Sequence, residues 1–477
     1  MDFDTYELDP SIYDEMFLPD GTPREHCRHI YEALTQFSAE ELRSIQDRVM
    51  RSFSTEGITF IVYGDEEADE RIIPIDCLPR AMSSADWSVL EEGLTQRLKA
   101  LNAFLEDVYG EARIIRDGVI PADVVMGCPQ YRTEMKGFSA PYGTWVGICG
   151  TDLVRTNDGW RVLEDNLRVP SGVSYMLANR KAAKASLRRL YRTSRVKEVE
   201  RYGRALRDTL LELAPGGRPD PTIVLLTPGV YNSAFYEHIF LAQEIGAELV
   251  EGKDLLVQEG MVFMRTTNGL KRVDVVYRRV DDDFLDPLVF RPDSLLGVPG
   301  LVHAYKLGNV ALVNAPGTGV ADDKSVYAFV PDMIRFYLGE EPVLQNVDTR
   351  LCRRAEDLEY TLDNLQDLVV KQVGGSGGYG MLIGPHSTAE EREAYAEELR
   401  ADPANYISQP VLALSRSPCL IEGRFEPRHV DLRPFVLHGQ KTRLAPGAFC
   451  RVALRRGSLV VNSSQGGGGK DFWVLES

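Results

Sequence analysis

The chain has 477 residues, more than one ordinary domain of about 150 residues uses, and its 44% apolar content can fill sizeable cores. Its 71 acidic against 54 basic residues give a formal net charge of -17, which argues against a general nucleic-acid surface but leaves room for a local basic pocket. The opening MDFDTYELDP lacks a signal-like basic start and apolar core, no apolar run approaches the ~20 residues of a membrane helix, and seven scattered cysteines without a C-x-x-C pair read as reduced thiols of a cytoplasmic protein.

Helical periodicity marks 24–53 and 84–108, and in the second segment Leu90, Leu94, Leu98, Leu101 and Leu105 read as a buried stripe. Ile58–Tyr63 and Arg71–Ile75 read as short strands, so residues 1–110 are expected to form a helical and mixed scaffold. Residues 111–215 should hold a strand–turn–strand over Trp145–Leu167 and, after Pro170, a basic helix over 172–192. Residues 216–320 read as an α/β layer on parallel strands. There Thr222–Leu226 is a strand, TPG breaks it, Ala234–Ile245 is a helix and Ala247–Val250 a strand, with further strands near 261–265 and 273–279. Residues 321–477 open with a helix around 321–338. Leu368–Lys371 is then a strand, 374–380 a glycine loop, Met381–Ile383 a short strand and 388–400 a helix. Strands follow near 406–414, 429–437, 449–454 and Phe472–Leu475. The fold class is α/β.

The sharpest local feature is GTDLVRTNDGWRVLEDNL, residues 150–167. A three-residue loop, Asn157-Asp158-Gly159, makes Thr156 and Trp160 partners. Asp152 then lies opposite Glu164, with Asn166 on the same face. Two carboxylates and an amide oxygen converging there repel unless a cation joins them, and an open oxygen-only set suits Mg²⁺. The plainer alternative is a solvated hairpin face.

A second feature is Val369-Val-Lys371-Gln-Val373 running into Gly374-Gly375-Ser376-Gly377-Gly378-Tyr-Gly380. Such a loop lets backbone amides approach an anion, Ser376 adds a hydroxyl, and Lys371 can place its charge on the same phosphates. It is not a GxxxxGK[ST] loop. Gly375–Gly380 satisfies GxGxxG, but MLIG and Pro385 follow where that motif should open a helix. A flexible linker is the alternative. Lys324, after the turn-rich Ala315-Pro-Gly-Thr-Gly319, is a second candidate cation, and Gln409-Pro410-Val411 ends a strand where backbone groups can meet an adenine edge. Asp281-Asp282-Asp283 reads as a charged turn, since successive residues point in different directions. The seven histidines form no zinc pattern, and no cysteine shows a Cys–His arrangement.

Taken in order, CGTDLV, VLEDNLRVPSGVSYM, TPGVYNSAFYEH, VDVVYRRVDDDFLDP, NAPGTGVADDK, VVKQVGGSGGYG, YISQP, HVDLRPFV and NSSQGGGGKDFWVL resemble the circularly permuted ATP-grasp proteins, including glutathionylspermidine-synthase-like ones. The carboxylate hairpin precedes the nucleotide lysines, which is how permutation appears. The resemblance implies a permuted ATP-grasp core adjoining a pre-ATP-grasp-like α/β domain at 216–320. It implies that Asp152, Glu164 and Asn166 ligate Mg²⁺, that Lys324 and Lys371 contact ATP phosphates under the 374–380 loop, and that Gln409 starts the adenine-side hinge.

The reaction expected is ATP-dependent joining of a small-molecule or peptide carboxylate to an amine through an acyl phosphate, without nucleic acid or membrane. A guanidinium is the best match for the incoming carboxylate, and the candidates are Arg278, Arg279, Arg433 and Arg168. The alternatives are a phosphotransferase or ATPase using the same cleft, and a non-catalytic nucleotide-binding regulator or scaffold.

Overall fold

In the computed structural model, residues 3–63, 68–216, 218–375, 380–461 and 466–476 are described. Three sheets position the candidate site. The largest has seven strands in the order Gln345–Asn346, Gly159–Asn166, Ile148–Thr156, Arg433–His438, Thr442–Val452, Gly468–Leu475 and Ile75–Ser83. It thus draws on the first 110 residues, the hairpin region and the C-terminal part alike. Its last strands are sandwiched between layers. Phe472 and Val474 join the core built on the helix Ser84–Tyr109, whereas Trp473 and Leu475 point into the core shared with the helix Val173–Ser186. This alternation is the two-residue period of a strand buried on both faces. Leu90, Leu94, Leu98, Leu101 and Leu105 are all buried, as their spacing requires, and Ser83 caps that helix by accepting from the Asp86 N–H at 3.1 Å.

A second sheet is parallel, in the order Ala311–Val313, Val275–Arg278, Ile223–Leu226 and Glu248–Val250. The helix Phe235–Ile245 makes a crossover, ended by Gly246 at φ 61°. The third sheet is antiparallel, in the order Arg350–Leu351, Tyr406–Pro410, Leu368–Gln372 and Leu382–Ile383. No helix among the described residues is long and apolar enough to cross a membrane.

Several boundaries differ from the sequence reading. The helix expected around 321–338 is two, Lys324–Tyr327 and Val330–Leu338, because Pro331 has no N–H to continue the first and is tolerated in the opening turn of the second. The basic helix over 172–192 breaks at Leu187, with φ −113° and ψ 35°, into Val173–Ser186 and Arg188–Thr193. The strand near 406–414 stops at Pro410, which cannot donate to a ladder. The strand near 273–279 serves two sheets. Gly269–Val273 pairs antiparallel with Met261–Thr266 and Val275–Arg278 enters the parallel sheet, with buried Asp274 between them accepting from the Thr222 N–H at 2.8 Å.

Asn314 fastens the parallel sheet to the hairpin. Its Oδ1 accepts from the N–H groups of Gly147 and Ile148 at 2.8 and 2.9 Å, and its Nδ2 donates to the carbonyls of Ile148 and Leu167, both at 2.7 Å. Asn314→Ala strands these buried groups, and denaturant unfolding should show a loss of about 3 kcal/mol. A loss below about 1 kcal/mol would mean that water replaces the amide.

Candidate functional site

The hairpin places its carboxylates by a route the sequence did not reveal. The loop has two residues, not three, because Thr156 pairs with Gly159. A bulge at Leu163 then adds the missing residue, so Leu153 faces Val162 while Asp152 faces Glu164 and Gly150 faces Asn166. Asp165 turns to the opposite face. There Arg97 Nε holds both its oxygens, at 3.0 and 2.8 Å, and Thr151 donates to it at 3.0 Å.

The antiparallel sheet closes over this face and leaves a cleft between them. Val347, Val369, Met381, Ile383, Leu412 and Leu414 make one part of the cleft apolar. Asp152, Glu164, Lys324, Lys371, Asp431 and Arg451 supply its charge. Lys324 starts a helix capped by Asp323, whose Oδ1 accepts from the Ser325 N–H at 2.8 Å. From there the Lys324 ammonium lies 3.8 Å from Glu164 and donates to the Gly375 carbonyl. Lys371 donates to Gln409 Oε1 at 2.9 Å across the strand pair, and Gln409 passes its amide to Thr349 at 2.9 Å. Gly374 and Gly375 begin the glycine loop beside these lysines, while Ser376, Gly377 and Gly378 lie outside the described residues.

The charges perturb one another. Burial opposes ionisation of Asp152, but Arg433 and Arg451 outweigh it and hold the carboxyl well below the usual carboxylate range. Glu164 is raised by burial and by Asp152, with the nearby cations pulling the other way. Lys371 is lowered to about 8 by burial, with Glu164 opposing and Lys324 adding to the shift.

Among the described residues, no three His, Cys, Asp or Glu side chains gather as a metal-ligand group. The set at issue is instead Asp152, Glu164 and Asn166, whose Nδ2 donates to the Gly150 carbonyl at 3.0 Å and so leaves Oδ1 as the other end of its amide. Facing carboxylates, one of them disfavoured as an anion, fit a hard divalent cation that oxygen ligands satisfy.

The four arginines fare differently. Arg278 is fully buried and committed to structure. It donates to the carbonyls of Asn314, Val280 and Ala315 at 2.6, 2.8 and 3.0 Å and pairs with Asp282 at 2.7 Å, which corrects its reading as a substrate ligand. Arg279 is likewise spent on the Pro170 carbonyl at 2.6 Å and on buried Glu237 at 3.2 Å. Glu237 in turn accepts from the N–H groups of Gly172 and Ser174, at 2.8 and 3.1 Å, at the start of a helix. Arg168 pairs with Asp322 at 2.8 Å, outside the cleft lining. Arg433 alone of the four meets the hairpin carboxylates, gripping both oxygens of Asp152.

Sequence reasoning missed Asp431 and Arg451. Both lie in the cleft wall, where Arg451 bridges Asp431 and Asp152. The available signal was the alternation in HVDLRPFV, which puts Asp431 and Arg433 on one face of their segment.

Comparison with known proteins identifies the family. Residues 79–453 match the family described as circularly permuted ATP-grasp type 2. An uncharacterized protein of Synechocystis sp. is 54% identical over 468 residues, 98% of this chain and 97% of that protein. A Frankia alni protein provisionally named glutamate–cysteine ligase 2-3 is 42% identical over 98% of this chain, which spans 54% of that longer protein. A glutathione synthetase-like effector of Globodera pallida shares the fold, with TM-score 0.60 at 11% identity over 92% of this chain and 98% of its own.

Proposed function

Since the chain belongs to the circularly permuted ATP-grasp family, we propose that it is an ATP-dependent carboxylate–amine ligase working through an acyl phosphate and releasing ADP and phosphate. One observation carries the reading. The Asp152–Glu164 pair and the lysine strand, more than 200 positions apart in sequence, line the same cleft. The family generally uses ATP with Mg²⁺. Asp152, Glu164 and Asn166 would hold the cation, which supplies charge neutralisation and polarisation at the phosphates. Lys324, Lys371 and the amides of Gly374 and Gly375 orient the phosphates and balance charge on the transferred group. The apolar part of the cleft, with Gln409 at the hinge, takes the base. The substrates are a small or peptide carboxylate and an amine, in keeping with the ligase name of the Frankia relative.

The decisive experiment screens amino acids, short peptides and polyamines for nucleotide turnover, with mass spectrometry of the products. Phosphate release that needs both a carboxylate and an amine, with ADP formed, is expected. AMP in place of ADP would sink the acyl-phosphate route. Carboxylate phosphorylation that consumes no amine would make the protein a phosphotransferase, and ATP binding without turnover would make it a regulator.

The state of Lys371 gives a pH signature. With its ammonium lowered to about 8, it is charged below that pH and neutral above it, so kcat/KM for ATP should fall as pH rises through about 8. Glu164, Lys324 and Asp152 are the charged groups that face it. Lys371→Arg should move the fall to higher pH, and an unmoved profile would assign it to another group.

A further inference from the structure

Asp152 has two guanidinium partners of unequal standing. Arg451 reaches it through Nη2 at 2.7 Å, but Arg451 is anchored elsewhere, its Nε bonding both oxygens of Asp431 at 3.0 and 2.9 Å. The backbone enforces that anchor, since the Asp431 N–H donates to the Arg451 carbonyl at 3.2 Å and Val430 bridges Val452 beside it. Arg433 is held less firmly. Its fork covers both Asp152 oxygens, with Nη2 to Oδ2 at 2.7 Å, but its other nitrogen finds only the Ser171 carbonyl at 3.2 Å. Its stem lies beside Gly150 and Pro170, at the border of the cleft that Asp152 lines.

A carboxylate has room for about four donors, and a bidentate arginine takes the two positions a divalent cation would share with Glu164. A guanidinium cannot shed its proton, so it must move rather than neutralise. We infer that Arg433 is an exchangeable counter-ion that leaves Asp152 when a divalent cation arrives and then grips the anionic oxygens of the carboxylate substrate. Arg451, clamped by Asp431, is the positioning residue that keeps Asp152 aimed throughout the exchange. This rests on the cation site of the ligase reading.

The test is nucleotide-free titration of the full chain with Mn²⁺, followed by paramagnetic resonance. Arg433→Met should bind Mn²⁺ about tenfold more tightly than the parent, and Arg433→Lys, which keeps the charge without the fork, should fall between them. Arg451→Met should bind about tenfold more weakly. Unchanged or weaker Mn²⁺ binding in folded Arg433→Met or Arg433→Lys would overturn the exchange, even where parent binding depends on Asp152. If Asp152→Asn leaves parent-level Mn²⁺ binding, the cation site itself is misplaced and the inference falls with it.

Discussion

Lys371→Met should lower ATP turnover by about 10²–10³-fold while leaving the fold in place. Methionine keeps the length of the lysine stem and removes only the ammonium. That ammonium donates one hydrogen bond, to Gln409 at 2.9 Å, so the stability lost should be about 1 kcal/mol. Its strand stays paired with Tyr406–Pro410 through backbone bonds that the substitution does not touch. The ammonium faces Glu164 and Lys324 across the cleft and is the charge closest to the first glycines of the loop along the chain. Steady-state turnover alongside a thermal melt checks the claim. Turnover within threefold of the parent, with an unchanged melt, would remove Lys371 from the phosphate site.

What the sequence made legible follows from the range of the forces involved. Periodicity located the helix Ser84–Tyr109 and its leucine stripe because a helix face is decided within one or two turns. The facing of Asp152 and Glu164 was also legible, although two local features were misread and cancelled. The shorter loop shifts the register by one residue, and the bulge at Leu163 restores it before the carboxylates are reached. Alternation alone cannot reveal a bulge, because the extra residue looks like any other strand residue. The arginines were illegible for a different reason. Arg278, Arg279 and Arg433 sit in similar strand-end sequences, and what separates them is partners far along the chain: Asn314, Glu237 with Pro170, and Asp152. Arg451 escaped notice for the same reason, since its two acidic partners come from separate strands or segments.

The adjacent carboxylates Glu164 and Asp165 should separate activity from stability. Strand alternation sends Glu164 into the cleft, where its cross-strand neighbour is Asp152 and Lys324 stands 3.8 Å away. Its side chain remains about one-third exposed, and its ion partner Lys324 keeps the Gly375 carbonyl, so Glu164→Gln leaves no ammonium without a partner. The variant should melt like the parent and yet lose turnover by about 10²-fold or more, because an amide cannot replace the charge of the cation ligand we propose Glu164 to be. Asp165 points the other way, beneath the sheet, against Arg97 on the long helix, and the two side chains are 2% and 1% exposed. Arg97 also donates to Asn346 at 2.7 Å, so this pair ties the helix to both the hairpin and the edge strand. Asp165→Ala leaves a buried guanidinium without its carboxylate and should cost about 3–5 kcal/mol. Arg97→Met with Asp165→Leu removes both charges and should recover much of that loss, because the cost lies in the orphaned ion rather than in the absent pair. Denaturant unfolding of the single and double variants, with turnover measured where each remains folded, tests the assignment. Equal losses of stability at 164 and 165 would mean that the hairpin does not present its two faces to a cleft and a core.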